Sequence, residues 1–377
     1  MEFRDLKAQY QKYKKEIDAA IQRVLINGHF IGGHEVKVLE ERLAKYVGVK
    51  HCISCANGTD ALTLVMMAWE IKEGDAVFVP DFTFFATGEI VSFKGATPVF
   101  VDVDRETFNL DPVKLEKAIQ KILDEGKLTP RAIIPVDLFG LPADYAEIEK
   151  IAQKYSLLVL EDGAQGFGGS INGKRACSFG DAAITSFFPA KPLGCYGDGG
   201  AIFTNDDQLA GLINSYKVHG KGENKYDNVR IGVNSRLDTI QAAVLNVKLN
   251  AFIEHELEDV NQVNNWYNER LNGIVEIPII PEGYGSSFAQ YTIRLKNRKE
   301  RDTLKSKLKE QGIPSMIYYV KPMHKQTAFA DLEFDEADFA VTNELCDNVL
   351  SLPMHPYLKK VDVEKISDII RFSLIEG

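Results

Sequence analysis

The chain has 377 residues, 45% of them apolar and 26% charged, a composition that fits a folded globular protein and excludes a disordered or fibrous one. Its 54 acidic and 44 basic residues leave a net charge of −10 without any Lys/Arg-rich block, so a nucleic-acid partner is not expected and any anionic ligand needs a local site. No run reaches the roughly 18 apolar residues of a membrane span, residues 1–10 mix Glu, Arg, Asp and Lys unlike a secretory leader, and the five cysteines are sparse and odd in number. The expectation is a cytosolic protein without disulfides and without a membrane partner.

Ile17, Ile21 and Val24, then Val36, Leu39 and Leu43, recur at helical spacing on either side of Gly28 and Gly32-Gly33, which predicts two amphipathic helices around a glycine loop. Short β-rich runs follow at 76–79, 98–103, 132–136, 157–160, 182–187 and 201–204, with room between them for helices such as 112–123 and 143–155. This alternation predicts an α/β fold with a mostly parallel central sheet and helices on both faces. A long helix is expected from Arg236 to about Leu271, then a loop at 278–287, a strand at 291–295 and a helix at 301–311. The boundary is placed in the long helix: a large domain over 1–250 and a smaller α+β domain over 251–377.

Ligands of open α/β sheets collect beyond the carboxyl ends of the strands, so the residues that follow each strand are the candidates. Cys55-Ala56-Asn57-Gly58-Thr59-Asp60 ends one strand and opens a helix, an anion cradle in which Gly58 lets the backbone approach; Asn57 or Thr59 could equally be a plain N-cap. Asp81-Phe82-Thr83-Phe84-Phe85-Ala86-Thr87 is aromatic where a polar loop was expected, and reads either as core filling or as a stacking platform. Leu157-Leu158-Val159-Leu160 runs straight into Glu161 and Asp162, placing Asp162 at the sheet edge, where it can hold a cation or a protonated ring nitrogen, or cap the next element.

Lys191 is the sharpest feature. It stands between Ala190 and Pro192 at the end of an apolar strand, with no neighbouring charge until Asp198, and partial burial of such an amine lowers its pKa toward Schiff-base chemistry. The glycine-rich run 194–200 lacks dinucleotide-binding order and reads as a turn that sets the lysine. Cys52 and Cys55 have metal or redox spacing but no second pair, and strand alternation sends them to opposite faces; the seven histidines show no metal spacing, so no metal is expected.

A phosphate cradle, a stacking aromatic, a strand-end Asp and a Schiff-base Lys, in that order, resemble a fold type I pyridoxal-phosphate enzyme. Asn57-Gly58-Thr59-Asp60-Ala61-Leu62, Phe82-Thr83-Phe84-Phe85-Ala86-Thr87, Glu161-Asp162-Gly163-Ala164-Gln165, Gly197-Asp198-Gly199-Gly200-Ala201 and Gly232-Val233-Asn234-Ser235-Arg236-Leu237-Asp238 are similar to the DegT/DnrJ/StrS nucleotide-sugar aminotransferases over nearly the whole chain. Residues 186–200 and 351–358 look most like the branch that aminates C3 of a UDP-linked 2-acetamido-2-deoxy-3-keto-uronic acid for O-antigen and related surface polysaccharides. Three positions depart from that branch: Ala190 replaces its usual Ser, Tyr318-Tyr319 its His-Tyr pair, and Phe30 is the aromatic of the N-terminal loop.

The resemblance implies pyridoxal 5'-phosphate as cofactor and Lys191 as the catalytic, covalently bonding residue. It implies Asp162 at the ring nitrogen, Gln165 at the ring's phenolic oxygen, Phe84 on one ring face, and Gly58, Thr59, Ser186 and Asn234 at the phosphate. Asn234 would come from a second subunit, hence a homodimer with shared active sites. The amino donor would be L-glutamate and the acceptor a nucleotide sugar, touched by Gly28, Phe30, His219, Arg236, Tyr318 and Tyr319. Arg236 could bind a uronate or diphosphate, or merely pair with Asp238; His219 could be an ordinary loop histidine. Another keto sugar, or a non-catalytic cofactor-bound regulator, remain the competing functions.

Overall fold

The computed structural model describes residues 1–224 and 226–375. Two helices open it, α1 (Leu6–Asn27) and α2 (His34–Val47), separated by the glycine loop. The α/β portion then runs β1 (His51–Cys55), α3 (Gly58–Ala68), β2 (Asp75–Pro80), α4 (Ala86–Phe93), β3 (Thr97–Val101), α5 (Pro112–Glu125), β4 (Thr129–Ile133), α6 (Tyr145–Tyr155) and β5 (Leu158–Asp162). A small hairpin, β6 (Ser170–Ile171) and β7 (Lys174–Arg175), precedes β8 (Ala182–Ser186), β9 (Gly200–Thr204) and α7 (Asp207–Tyr216).

Seven of these strands form one sheet in the order β1-β9-β8-β5-β4-β2-β3. Only β9 runs antiparallel to its neighbours, so the sheet is mostly parallel. Its strands alternate with period two between two buried faces. Val77 and Val79, Ala182 and Ile184, and Ile202 face the cluster under α3, α4 and α7. On the other face Phe78 packs against α5 and α6, and Ala183 and Phe203 pack against α2. Cys52 and Cys55 go to opposite faces, and all five cysteines are buried and free.

β4 starts at Thr129 rather than at the expected Ala132, because the polar Thr129–Arg131 stretch pairs with β2 across a register shift that hydropathy does not reveal. Val136, the expected end of that strand, makes only an isolated bridge to Asp162. The predicted long helix begins at Thr239, not Arg236, as α8 (Thr239–Ala251) and α9 (Leu257–Leu271), joined by a π-helical turn at Phe252–Glu256. Leu245, Leu249 and Phe252 pack with the sheet, whereas Val260, Val263 and Tyr267 pack with the C-terminal elements. Those elements are β10 (Tyr284–Gly285), which extends the small hairpin, then β11 (Tyr291–Arg294), α10 (Arg298–Glu310), α11 (Ala340–Asn348), β12 (Val349–Leu352) and α12 (Lys360–Ile375). β11 and β12 pair antiparallel. None of the described helices is long and apolar enough to cross a membrane.

Beneath the sheet's carboxyl edge lies a pair of fully buried carboxyls. Glu161 accepts from Phe179 N at 2.7 Å and from Cys177 N, while Asp137 accepts from Ala143 N at 3.1 Å and from the Tyr145 hydroxyl at 2.8 Å. Burial, and then mutual repulsion, pushes Glu161 well up; burial raises Asp137 to about 6. A carboxyl whose folded pKa is raised stabilises the fold fully below its unfolded pKa and loses that contribution as pH climbs through the folded value. Asp137→Asn keeps the Oδ1 acceptor and removes the titration. Its stability relative to the wild type should therefore improve by roughly 1–3 kcal/mol between pH 4.5 and pH 7, read from urea unfolding.

Candidate active site

The cradle forms where three segments crowd together. Asn57 caps α3, its side chain accepting from Asp60 N at 2.7 Å, and this leaves the N–H groups of Gly58 and Thr59 to point at an anion. Asn57 is thus a plain cap and the cradle exists because of it. Gly58 packs on the Ser186 strand end: a Cβ at Gly58 would lie 2.9 Å from the Ser186 Cβ. Gly200 is pressed as closely, since a Cβ there would meet the Asn57 carbonyl at 2.5 Å. Only hydrogen at both positions lets β1, β8 and β9 deliver their ends to one point.

The aromatic cluster divides its labour. Phe82 is buried and Phe85 leans on the core, while Phe84 is 57% exposed and offers its ring as a surface. Thr87, at the start of α4, donates to Asp162 Oδ2 at 2.9 Å, and Ala164 N donates to Oδ1 at 3.2 Å. Asp162 is therefore a local cap and a site carboxylate at once. Burial raises its pKa, against the pull of Thr87, Ala164 N and the Lys191 charge.

Lys191 sits in a closed loop. Phe187 N bonds Gly199 O, Cys195 N bonds Phe187 O and Lys191 N bonds Phe188 O, at 2.8, 2.8 and 2.9 Å. Gly194 rests so close to Pro189 that a Cβ would be 2.5 Å from its carbonyl, so the glycine run does set the lysine. Burial lowers the Lys191 pKa, Asp162 opposes this and the Arg4 guanidinium adds to it. Gln165 is buried, accepts from Phe139 N at 2.9 Å and donates to the Tyr319 hydroxyl at 3.2 Å, which joins two residues predicted separately. Tyr318 packs edge-on against Tyr319.

The remaining predicted residues form a second group. Gly28 ends α1 in the left-handed conformation, the carbonyl of the exposed Phe30 accepts from Thr239 N at 2.9 Å, and Ile31 bridges to Asp238. His219 N bonds Val233 O at 2.9 Å, and Asn234 is exposed, bridged by its backbone to Val218. Arg236 is half-buried, and none of the ion pairs among the described residues joins it to Asp238. Ser235 ties this segment to the cradle by accepting from Ala56 N at 3.1 Å. Two residues that touch the site escaped sequence reading: Thr87, hidden inside the aromatic cluster, and Arg4, whose Nη2 donates to Pro192 O at 3.2 Å.

A half-buried amine with a lowered pKa, a buried carboxylate beside it, an open aromatic face and a glycine-lined anion cradle define a site of the pyridoxal-phosphate type. A family model for the DegT/DnrJ/EryC1/StrS aminotransferases matches residues 11–371, and the chain belongs to that family of pyridoxal-phosphate-dependent enzymes. It is 49% identical over 369 residues, 97% of this chain and 98% of the relative, to a Pseudomonas aeruginosa protein named UDP-2-acetamido-2-deoxy-3-oxo-D-glucuronate aminotransferase. It is 41% identical over 373 residues, 98% of this chain and 97% of the relative, to the UDP-N-acetyl-3-dehydro-alpha-D-glucosamine 3-aminotransferase of Acidithiobacillus ferrooxidans. A solved DegT/DnrJ/EryC1/StrS aminotransferase from Brucella abortus superposes with a TM-score of 0.97 at 50% identity, each chain fully covered.

Two outcomes test the geometry. Gly58→Ala, which drives a methyl against Ser186, should weaken pyridoxal-phosphate binding to the cofactor-free protein by about tenfold or more in a fluorescence titration. Thr87→Val removes the hydroxyl that steadies Asp162, and should cut turnover by about tenfold while leaving the urea midpoint nearly unchanged.

Proposed function

We propose that this aminotransferase moves the amino group of L-glutamate to C3 of a UDP-linked 2-acetamido-2-deoxy-3-keto-uronic acid, in the cytoplasm, for surface polysaccharides of the O-antigen type. The observation that carries the catalytic reading is that Lys191, an amine whose pKa is lowered by burial, lies within electrostatic reach of the buried Asp162, which Thr87 and Ala164 N hold by hydrogen bonds. The name of the Pseudomonas relative supports the sugar.

The residues present fit the cofactor. Gly58, Thr59 and Ser186 make a cradle for its phosphate, completed by Asn234 across a subunit boundary; Phe84 offers a flat apolar face, Asp162 an anion for the ring nitrogen and Gln165 an amide for the phenolic oxygen. When bound, the cofactor supplies the electron sink for breaking a C–H bond next to nitrogen. The chain's own part is to hold and move protons. Lys191 in its neutral form takes the proton from the donor's α-carbon, and in the second half-reaction returns one to the sugar carbon. Burial lowers its pKa and so makes the neutral amine easier to reach than on a surface lysine.

Arg236, half-buried and free of Asp238, can take a uronate carboxylate through its planar fork, while Gly28, Phe30, His219, Tyr318 and Tyr319 form the surroundings of the sugar nucleotide. Exposed Phe188 and Ile231 give apolar surface for a homodimer to cover. A neutral 3-keto sugar is the second reading, favoured by the Acidithiobacillus relative's name and by Ala190 and Tyr318.

Lys191→Ala should lose transamination and the protein's visible absorbance together. Arg236→Ala should impair a carboxylated sugar by about 10–100-fold and a neutral one far less. Turnover on purified keto sugars decides: preference for the neutral or a 4-keto sugar would overturn the uronate assignment.

A further inference from the structure

The carboxylate of the amino donor has no partner in the reading above, and the segment ahead of α1 supplies one. Residues 3–5 are pinned on both sides of Arg4. The Phe3 carbonyl accepts from Met354 N at 3.2 Å, and the Asp5 side chain caps α1 by accepting from Ala8 N at 2.8 Å. The Phe3 ring stands edge-on to Tyr318, centroids 6.3 Å apart. Arg4 is thereby held at the mouth of the site, half-buried, with Nη2 on the carbonyl of the residue after Lys191.

A guanidinium carries five N–H donors. Pro192 O takes one of them, and none of the ion pairs among the described residues includes Arg4. Its charge reaches three neighbours. Burial is the main cause that lowers Lys191, Lys248 and His355, the last two to about 8 and about 4, and Arg4 adds to the lowering in each case. Arg4 itself is brought down to about 10 by burial. Glu256 pulls the other way on Arg4 and Lys248, but its two oxygens are engaged by Gln9 Nε2, each at 3.1 Å, and by the Tyr357 hydroxyl. A sheltered guanidinium with spare donors, whose nearest acting carboxylate, Glu256, is already engaged by Gln9 and Tyr357, has donors to offer an anion.

We propose that Arg4 receives the α-carboxylate of the amino donor. The inference rests on Lys191 as the catalytic base. The proton Lys191 must take lies on the carbon bonded to that carboxylate, so an anchor one residue from Lys191 places the right carbon within its reach. Arg236 belongs to the other group of residues and is left for the sugar. Every α-amino acid carries this carboxylate, so the role of Arg4 does not depend on glutamate being the best donor. The bound anion also offsets the Arg4 charge, which raises the basicity of Lys191 once a donor is in place.

The test uses Arg4→Gln and Arg4→Lys in the cofactor-loaded enzyme. Calorimetric titration with glutarate, which has carboxylates and no amine to transfer, should show binding weakened about 10–100-fold in Arg4→Gln and less in Arg4→Lys. In rapid mixing, the half-saturating concentration of L-glutamate should rise by a similar factor in Arg4→Gln. The amino-sugar half-reaction of pre-aminated enzyme should change less than about threefold. The wild type should reject L-isoglutamine, whose α-carboxylate is an amide, and Arg4→Gln should lose that discrimination. Equal losses in both half-reactions would reduce Arg4 to a support for the Lys191 loop and overturn the proposal. Loss confined to a carboxylated sugar would assign Arg4 to the uronate, and would overturn it as well. A fully active Lys191→Ala enzyme would instead sink the catalytic reading, and is scored on its own.

Discussion

Desolvation at the carboxyl ends of the sheet is the constraint on which the rest depends. A lysine amine and an aspartate are drawn out of water together, and burial alone would neutralise both. Each tempers the other's shift, while Thr87 and Ala164 N bond the carboxylate. The outcome is an amine that gives up its proton more easily than a surface lysine and a carboxylate held in place by two hydrogen bonds. The close approach of Gly58 and Gly200 to their neighbours brings the start of α3 to the ends of the same strands.

The support for this arrangement comes from far along the chain. Lys248, almost fully buried on α8, bonds the carbonyl of Gly194, and Arg4 bonds that of Pro192, so two cations grip the loop that carries Lys191. Their common counter-charge is Glu256, which the π-helical turn between α8 and α9 places inside the protein together with Phe252. The turn that carries the helix from one hydrophobic cluster to the next also holds Glu256, whose charge acts on Arg4 and Lys248 behind the Lys191 loop.

Family membership narrows the chemistry without choosing the substrate. In the proposed function the cradle, Asp162 and Lys191 would serve any keto sugar, because their roles there concern the cofactor and protons. In the proposed function, sugar choice would rest with Tyr318, Tyr319 and Arg236; the segment ahead of α1 packs on Tyr318, which in turn stands edge-on to Tyr319.

Much of this was legible in the sequence. Alternating apolar runs, each ending in glycine or polar residues, determined a mostly parallel sheet with its site at the strand ends, since period-two burial and backbone hydrogen bonding leave few other solutions. Lys191, Asp162 and the Gly58 cradle could be picked out because each is an anomaly against its own neighbours. The beginning of β4 at Thr129 and the break in the long helix were not legible, since both follow from pairing and packing partners distant in sequence. Local pattern treats Phe82 and Phe84 alike, and the resemblance alone singled out Phe84, whose ring is open where Phe82 is buried. Sequence by itself thus determined most of the elements and the order of the motifs, because those depend on local periodicity and residue type, and the resemblance those motifs carry gave the class of chemistry. Only the tertiary structure decided that Thr87 would hold Asp162, that Gln165 would meet Tyr319 and that Arg4 would stand beside Lys191, because the field and hydrogen bonds at a buried charge are set by whatever folding brings within a few ångströms of it.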